Sequence, residues 1–362
     1  MKKTFKLNLR EMKPIHSKMI LTLIFICLSP FFLYSQTAER LIEDQFSIGE
    51  SAQLKIDSKF TDVKIINNDE DQISIEARLW VKSDRQELAE ELLQNLNVSI
   101  EKSGNEISVT TVIPEKMPSR RNTEFGIELS VYAPVYIDLD LNNKYGSAFI
   151  EEISGLAMIN IEFGNLKVQE LTRGKEKPYD ELRLEHSKAS IEEAGWLKAD
   201  ISYSKISIEE SEALMLLTKY SGVSISEIVS LVSDSKYDTY KIDEIVNFSG
   251  EMKYANLSIG ELSKKFEIKS SYSSVKVAEI NADFEMITIQ NSRGGYKLGI
   301  DDNASFTLMG TAERGDISIN GMDNLSKRVE NADKYVSGEY GEDPKSKVEI
   351  YVKEGSVKID LD

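Results

Sequence analysis

The chain has 362 residues, 41% of them apolar, with 44 Lys and Arg against 61 Asp and Glu and a formal charge of −17. That apolar content excludes a disordered chain and suffices for one large domain or two modest ones. Residues 1–35 hold six bases and one acid, so the remainder carries −22, which argues against nucleic acid or an anionic lipid surface as partner and favours cationic partners or divalent ions.

Residues 1–35 read as a secretory signal peptide. Lys13 and Lys18 flank an apolar run from Ile20 to Leu28, and Ser35 before Gln36 offers a small-residue cleavage site. The run is too short and interrupted for a membrane span, so none is expected after signal removal. Met12 and Met19 stand as alternative starts, and Ile26 before Cys27 does not fit a lipoprotein cleavage box. Cys27 is the only cysteine, so the mature chain has no disulfide and no thiol metal site. His186 is its only histidine, since His16 lies in the leader.

Residues 36–140 read as an N-terminal β cap carrying one helix. Stretches 52–66 and 72–81 alternate as strands. A helix follows over 84–96, with Ser83 and Asp84 as caps and Leu88, Leu92, Leu93 and Leu96 as its apolar stripe. Strands return over 98–113 around the turn Ser103-Gly104-Asn105, then a polar link over 117–122, then strand over 127–141 broken at Ala133-Pro134.

From 141 to 300 the chain repeats. An aromatic or its substitute falls at Tyr145, Phe163, His186, Tyr203, Tyr220, Tyr237, Tyr254 and Tyr272, with spacings of 18, 23, 17, 17, 17, 17 and 18. Counting from the ring, small or polar residues follow, then apolar ones at the third, fifth and eighth places, such as Val223, Ile225 and Ile228. This is period-two alternation with one buried face. Two short strands per unit cannot satisfy their own backbone groups, and 17 residues are too few for a helical crossover. Stacking each unit on the last solves both problems. The expectation is an all-β fold, a parallel β-helix or β-solenoid with rungs of about 17 residues spaced about 4.8 Å apart. Segment 59–65 already echoes the unit. After Tyr272 the period loosens, with degenerate copies at Arg293-Gly294 and Arg314-Gly315; residues 301–362 read as degenerate rungs and a C-terminal cap, with an exposed polar loop over 322–345 and a strand pair over 348–361.

Four features invite a chemical reading. Glu occupies the seventh place after every ring, and stacked carboxylates such as Glu210, Glu227, Glu244 and Glu261 form a candidate divalent-cation ladder; the plainer reading is a solvated corner screened by salt. The long step of 23 holds a polar insert whose Arg173, Lys175, Lys177 and Tyr179 are candidate ligand contacts, or simply a solvated loop. The ring column either packs as core, which is the expectation, or faces outward against sugars. His186 fills an aromatic slot with no Ser or Cys motif beside it, so no catalytic residue and no cofactor is expected.

The stretch 46–113, Ala133-Pro134 leading into Lys144-Tyr145-Gly146, and the later Val-x-Ile pairs resemble the putative-adhesin β-strand-repeat family of exported bacterial proteins. The likeness spans most of 40–362. It implies a right-handed parallel β-helix, export to the periplasm, outer-membrane surface or medium, and no catalytic residues. Ser221, Asp238 and Ala255 stand where that family has a turn glycine. The reading that follows is a non-catalytic envelope or surface scaffold, an adhesin binding a protein or a glycan. The alternatives are a polysaccharide-acting β-helix enzyme, which would need an acidic and basic cluster on longer rungs, and an envelope-stress accessory acting through a protein partner.

Overall fold

The computed structural model describes residues 36–114 and 123–361. The expected signal peptide and the expected link at 117–122 lie outside the described residues. The protein is all-β with one short helix, and its long sheet is mixed and does not close into a barrel.

Five long strands carry the repeat: Lys188–Ser202, Lys205–Lys219, Gly222–Lys236, Thr239–Lys253 and Asn256–Ser271. Each pairs in parallel with the next, like upon like. Ile206 lies beside Val223, Val223 beside Tyr240, and Tyr240 beside Leu257. The inner column Ile208, Ile225, Ile242 and Ile259 is buried throughout. Pairing lapses in mid-strand, at Glu209 and Glu212 for example, so each long strand falls into two paired segments of the one sheet. Inward side chains from along the sheet form one contiguous core from Ala38 to Ile359. Burying each Val or Ile stabilises by about 1.5–3 kcal/mol, against a backbone entropy cost of about 1–2 kcal/mol per residue, so a rung persists only with neighbours.

The ends are built differently from the middle. Gln53–Lys59 and Thr61–Asn67 do not begin the stack. They lie between Glu106–Val112 and Glu124–Ala133 on one side and Asp138–Lys144 and Ser147–Ile153 on the other. Antiparallel strands finish this end: Gln72–Ser83 on Glu124–Ala133, Gln36–Ser47 outside it, and Asn97–Ser103 on Glu106–Val112. The helix spans Gln86–Gln94 and sets Leu88, Ala89, Leu92 and Leu93 against the first two of these strands. Neither Ser83 nor Asp84 caps it. Arg85 is its N-cap, with no side-chain bond, because Ser83 ends the preceding strand with its side chain buried.

The C-terminal end repeats the device. Ser346–Lys353 slots between Met286–Ser292 and Phe306–Glu313, and Ser356–Leu361 between Gly295–Ile300 and Asp316–Asn320. The loop expected over 322–345 holds an antiparallel hairpin instead. Asp333–Tyr340 pairs with Phe306–Glu313, and Ser326–Glu330 lies outside it. Ser326–Glu330 is exposed along its whole length, so it carries no buried face for a hydrophobic pattern to reveal. Charged edge strands at both ends discourage further pairing.

Candidate functional site

The ring column turns out to lie on the surface. Phe60, Tyr145, Phe163, His186, Tyr203, Tyr220, Tyr237, Tyr254 and Tyr272 all have left-handed backbone, with φ between 50° and 64°. Such a residue interrupts the alternation, so the ring points out beside its predecessor and the residue behind it points in. Tyr220 is 44% exposed and Tyr203 51%, whereas Ser221 behind Tyr220 is 7% exposed. This corrects the expectation that the column is core. A signal for it exists in the sequence: inward positions four before and three after the ring are an odd number apart, which requires a phase slip at the corner.

The left-handed conformation is costly for a bulky side chain, about 1–2 kcal/mol per residue. Two sets of contacts offset it. The backbone ladder continues through the corner, with Tyr220 N–H donating to Lys236 O at 3.1 Å and Gly222 N–H to Ser204 O at 3.0 Å. Behind the rings runs a buried polar column. Ser187 N–H donates to Ser204 Oγ (2.9 Å), Ser204 N–H to Ser221 Oγ (3.3 Å) and Ser221 N–H to Asp238 Oδ1 (2.6 Å). Serine and aspartate thus stand in place of the turn glycine with side chains that accept the preceding corner's N–H. Where glycine remains, it is needed for space: a Cβ on Gly164 would lie 2.1 Å from Gly146 O.

Asp238 anchors a larger cluster. Its carboxyl also accepts from Thr218 Oγ1 (2.7 Å), Ser235 Oγ (2.7 Å) and Lys236 N–H (2.8 Å). The buried Tyr240 hydroxyl bonds Thr218 Oγ1 at 2.8 Å and Ser233 Oγ at 3.0 Å.

Along the column, ring centroids are 4.8–5.2 Å apart and adjacent planes lie within 6–21° of parallel. His186 stacks between Phe163 (4.8 Å) and Tyr203 (5.0 Å) as one more ring. Phe125 leans on Phe60 at one end, 5.7 Å away and tilted 57°. At the other end the Arg293 guanidinium sits 5.4 Å above Tyr272 and bonds its hydroxyl. The same corner then carries Glu354, paired with Arg293 (2.6 Å) and Arg314. Lysines flank the rings. Lys219 Nζ lies 5.4 Å over Tyr220, and Lys144 pairs with Glu162 at 2.7 Å, holding that carboxyl below its ordinary range.

The other sequence candidates lie at the opposite bend of the rungs. Glu210, Glu227, Glu244 and Glu261 stand side by side in register and face solvent. Among the described residues no group of three or more His, Cys, Asp or Glu is placed to hold a metal ion. The insert shares that edge, where Thr172 Oγ1 donates to Glu152 at 3.1 Å. Within it Arg173 Nε bonds Pro178 O (3.2 Å), Lys177 lies 5.7 Å over Tyr179, and Tyr179 packs on Trp196 at 5.2 Å; Lys175 is exposed. The structure therefore groups the glutamates with the insert and separates both from the rings. At the base of the insert Asp180 is buried, its Oδ1 accepting Ala157 N–H at 2.9 Å, and burial pushes its carboxyl up to about 6.

Stacked parallel strands with one tight corner and capped ends fit a β-solenoid. No protein-family model matches the sequence, and no curated protein matches it. Solved structures to which the chain is similar include a putative cell adhesion protein from Clostridium sporogenes, 10% identical, covering 90% of this chain and all of that one, TM-score 0.19. Two others are a putative adhesin from Bacteroides fragilis, at 9% identity, 88% and 97% coverage and TM-score 0.24, and one from Parabacteroides distasonis, at 12%, 88% and 97%, and 0.27. At such scores nothing of their rungs, surfaces or partners transfers to this chain. No helix among the described residues is long and apolar enough to cross a membrane.

Proposed function

We propose that the protein is a non-catalytic scaffold exported to the cell envelope or surface, adhesin-like in role. Its body is a right-handed β-solenoid with rungs of about 17 residues. Its ligand face is the ring edge, where it holds a glycan or a protein. The observation that supports this most is the exposed ring column itself. Each ring occupies a strained left-handed corner that glycine fills without cost, and each leaves about half its surface in water.

Fractionation of the native host with a tagged copy, followed by pull-down, tests the reading. The tag is expected in the periplasm, outer surface or medium. A partner recovered with the unaltered chain should be lost with Tyr220→Ser/Tyr237→Ser/Tyr254→Ser. Retention in the cytoplasm, or a partner indifferent to that variant, refutes it. Release of reducing ends from a polysaccharide panel incubated with the purified protein refutes the non-catalytic part.

A further inference from the structure

The chemistry of the ring edge narrows its partner to one class. Every ring from Phe60 to Tyr272 has both faces covered, by its neighbours in the column, by Phe125 at one end and by the Arg293 guanidinium at the other. Sugar rings therefore find no aromatic face to stack on. Solvent meets only ring perimeters, which are the positive part of the aromatic quadrupole, and the phenol O–H groups of the tyrosines. Both invite an anion or a polar oxygen.

Lysines flank the same corner. Lys188 and Lys205 follow their rings by two residues, and Lys219, Lys236 and Lys253 precede theirs by one. From Tyr203 to Tyr272 no acidic residue occupies those flanking places. All five lysines are exposed, and none has a carboxylate within 4.0 Å among the described residues. This is not for want of acids, since the chain has 61. Asp234 and Glu251 lie two residues before Lys236 and Lys253, yet Glu251 pairs with Lys269 at 3.1 Å instead. The body is acidic, but from Tyr203 to Tyr254 this edge is basic and unneutralised, while Glu162 and Glu185, which precede Phe163 and His186, are paired with Lys144 and Arg183.

We propose that the edge binds a linear polyanionic polysaccharide, a polymer of uronic acids, laid along the stack. Its carboxylates meet Lys188, Lys205, Lys219, Lys236 and Lys253, and its hydroxyls meet the tyrosine O–H row. The proposal rests on the ring edge being the ligand face. A single exposed ion pair adds little, so a ligand touching one rung binds weakly, whereas a polymer repeats the contact at every step of about 4.8 Å. Duplex DNA, with one charge per about 1.7 Å, is too strongly repelled by the acidic body. The glutamate edge of a second copy has the matching spacing, but it offers the phenols no hydroxyl partners and brings a second body of like charge.

Calorimetry with polygalacturonate and its methyl ester, at about 0.05 and about 0.5 M salt, tests this. The acid polymer should bind, more tightly with increasing length, and at least about tenfold more weakly as the ester, at high salt, or to Lys219→Ser/Lys236→Ser/Lys253→Ser. These lysines are exposed, and an unchanged melting midpoint verifies folding. Glu210→Gln/Glu227→Gln/Glu244→Gln should bind at least as well as the unaltered chain. Equal binding of acid and ester overturns the proposal. If the lysine variant loses the envelope partner but no polymer binds, the polysaccharide class fails and the ligand face stands. If the lysine and tyrosine variants affect neither, both fail. Concentration-dependent dimers in sedimentation, dissolved by either triple variant, assign the edge to a second copy and also overturn it.

Discussion

Asp180 offers the most direct test of the energetics of the core. It is 1% exposed, with one hydrogen bond, from Ala157 N–H at 2.9 Å. Burial pushes its carboxyl up to about 6; that bond and the Arg173 cation pull the other way, and Asp138 adds a like charge. In the unfolded chain an aspartate titrates near about 3.9. The folded protein therefore binds this proton more tightly. The site contributes its full stabilisation below about pH 4, loses it as the pH rises to about 6, and stays flat above. Two units correspond to about 3 kcal/mol. Asp180→Asn keeps a carbonyl oxygen to accept from Ala157 and removes the titration. It should match the unaltered protein near pH 4 and exceed it by up to about 3 kcal/mol near pH 8. Urea midpoints of both proteins at intervals across that range measure the difference, and every other carboxylate cancels in it. A difference that stays constant with pH, or an Asn protein less stable near pH 8, refutes the desolvation argument.

Other substitutions probe the corner. Asp238→Ala leaves the N–H groups of Ser221 and Lys236 and the hydroxyls of Thr218 and Ser235 without that acceptor, and should cost about 3–5 kcal/mol in urea unfolding. Tyr237→Gly removes two ring stackings but relieves the corner at φ 64°, so it should be more stable than Tyr237→Ala by about 1 kcal/mol in thermal melts, with both below the unaltered chain. Gly164→Ala drives a Cβ to 2.1 Å from Gly146 O and should cost about 1–3 kcal/mol or more, read as a lowered midpoint.

The stack was legible because its signal is periodic. Ile206, Val223 and Leu257 fall at one place in successive units and pair as that placement requires. The orientation of the rings was not read correctly, because alternation was extended through a corner whose left-handed residue breaks it. The expected helix caps were displaced: the helix begins after Arg85, and the Ser83 hydroxyl accepts the N–H of Arg85, the N-cap residue itself, at 3.4 Å rather than one inside the first turn. Two features have no local signature. The exposed strand Ser326–Glu330 buries nothing, and the slotting of 346–361 between earlier rungs depends on contacts with residues more than thirty positions away. Of the candidate contacts, the glutamate column and the insert were placed by spacing alone. Spacing could not tell that they share one edge and the rings another.

Repetition itself poses a problem that the irregular parts answer. When consecutive rungs are nearly alike, sliding the stack by one whole rung preserves most inward columns and costs little beyond the ends. Uniqueness must come from what does not repeat. Tyr240 replaces an aliphatic residue, and its hydroxyl finds Thr218 and Ser233 only when its own rung meets the one before it in native order. Slipped back by one rung, it faces Ile201 and Leu216, which pair beside Thr218 and Ser233, and a buried hydroxyl loses its partners, a loss of about 1–3 kcal/mol. The tucked ends act in the same sense. A segment held between two rungs satisfies both of its edges at one position only, so Gln53–Asn67 and Ser346–Leu361 fix where the stack starts and stops. The periodic residues thus supply the bulk of the stability, and the aperiodic ones select one register from several of similar energy.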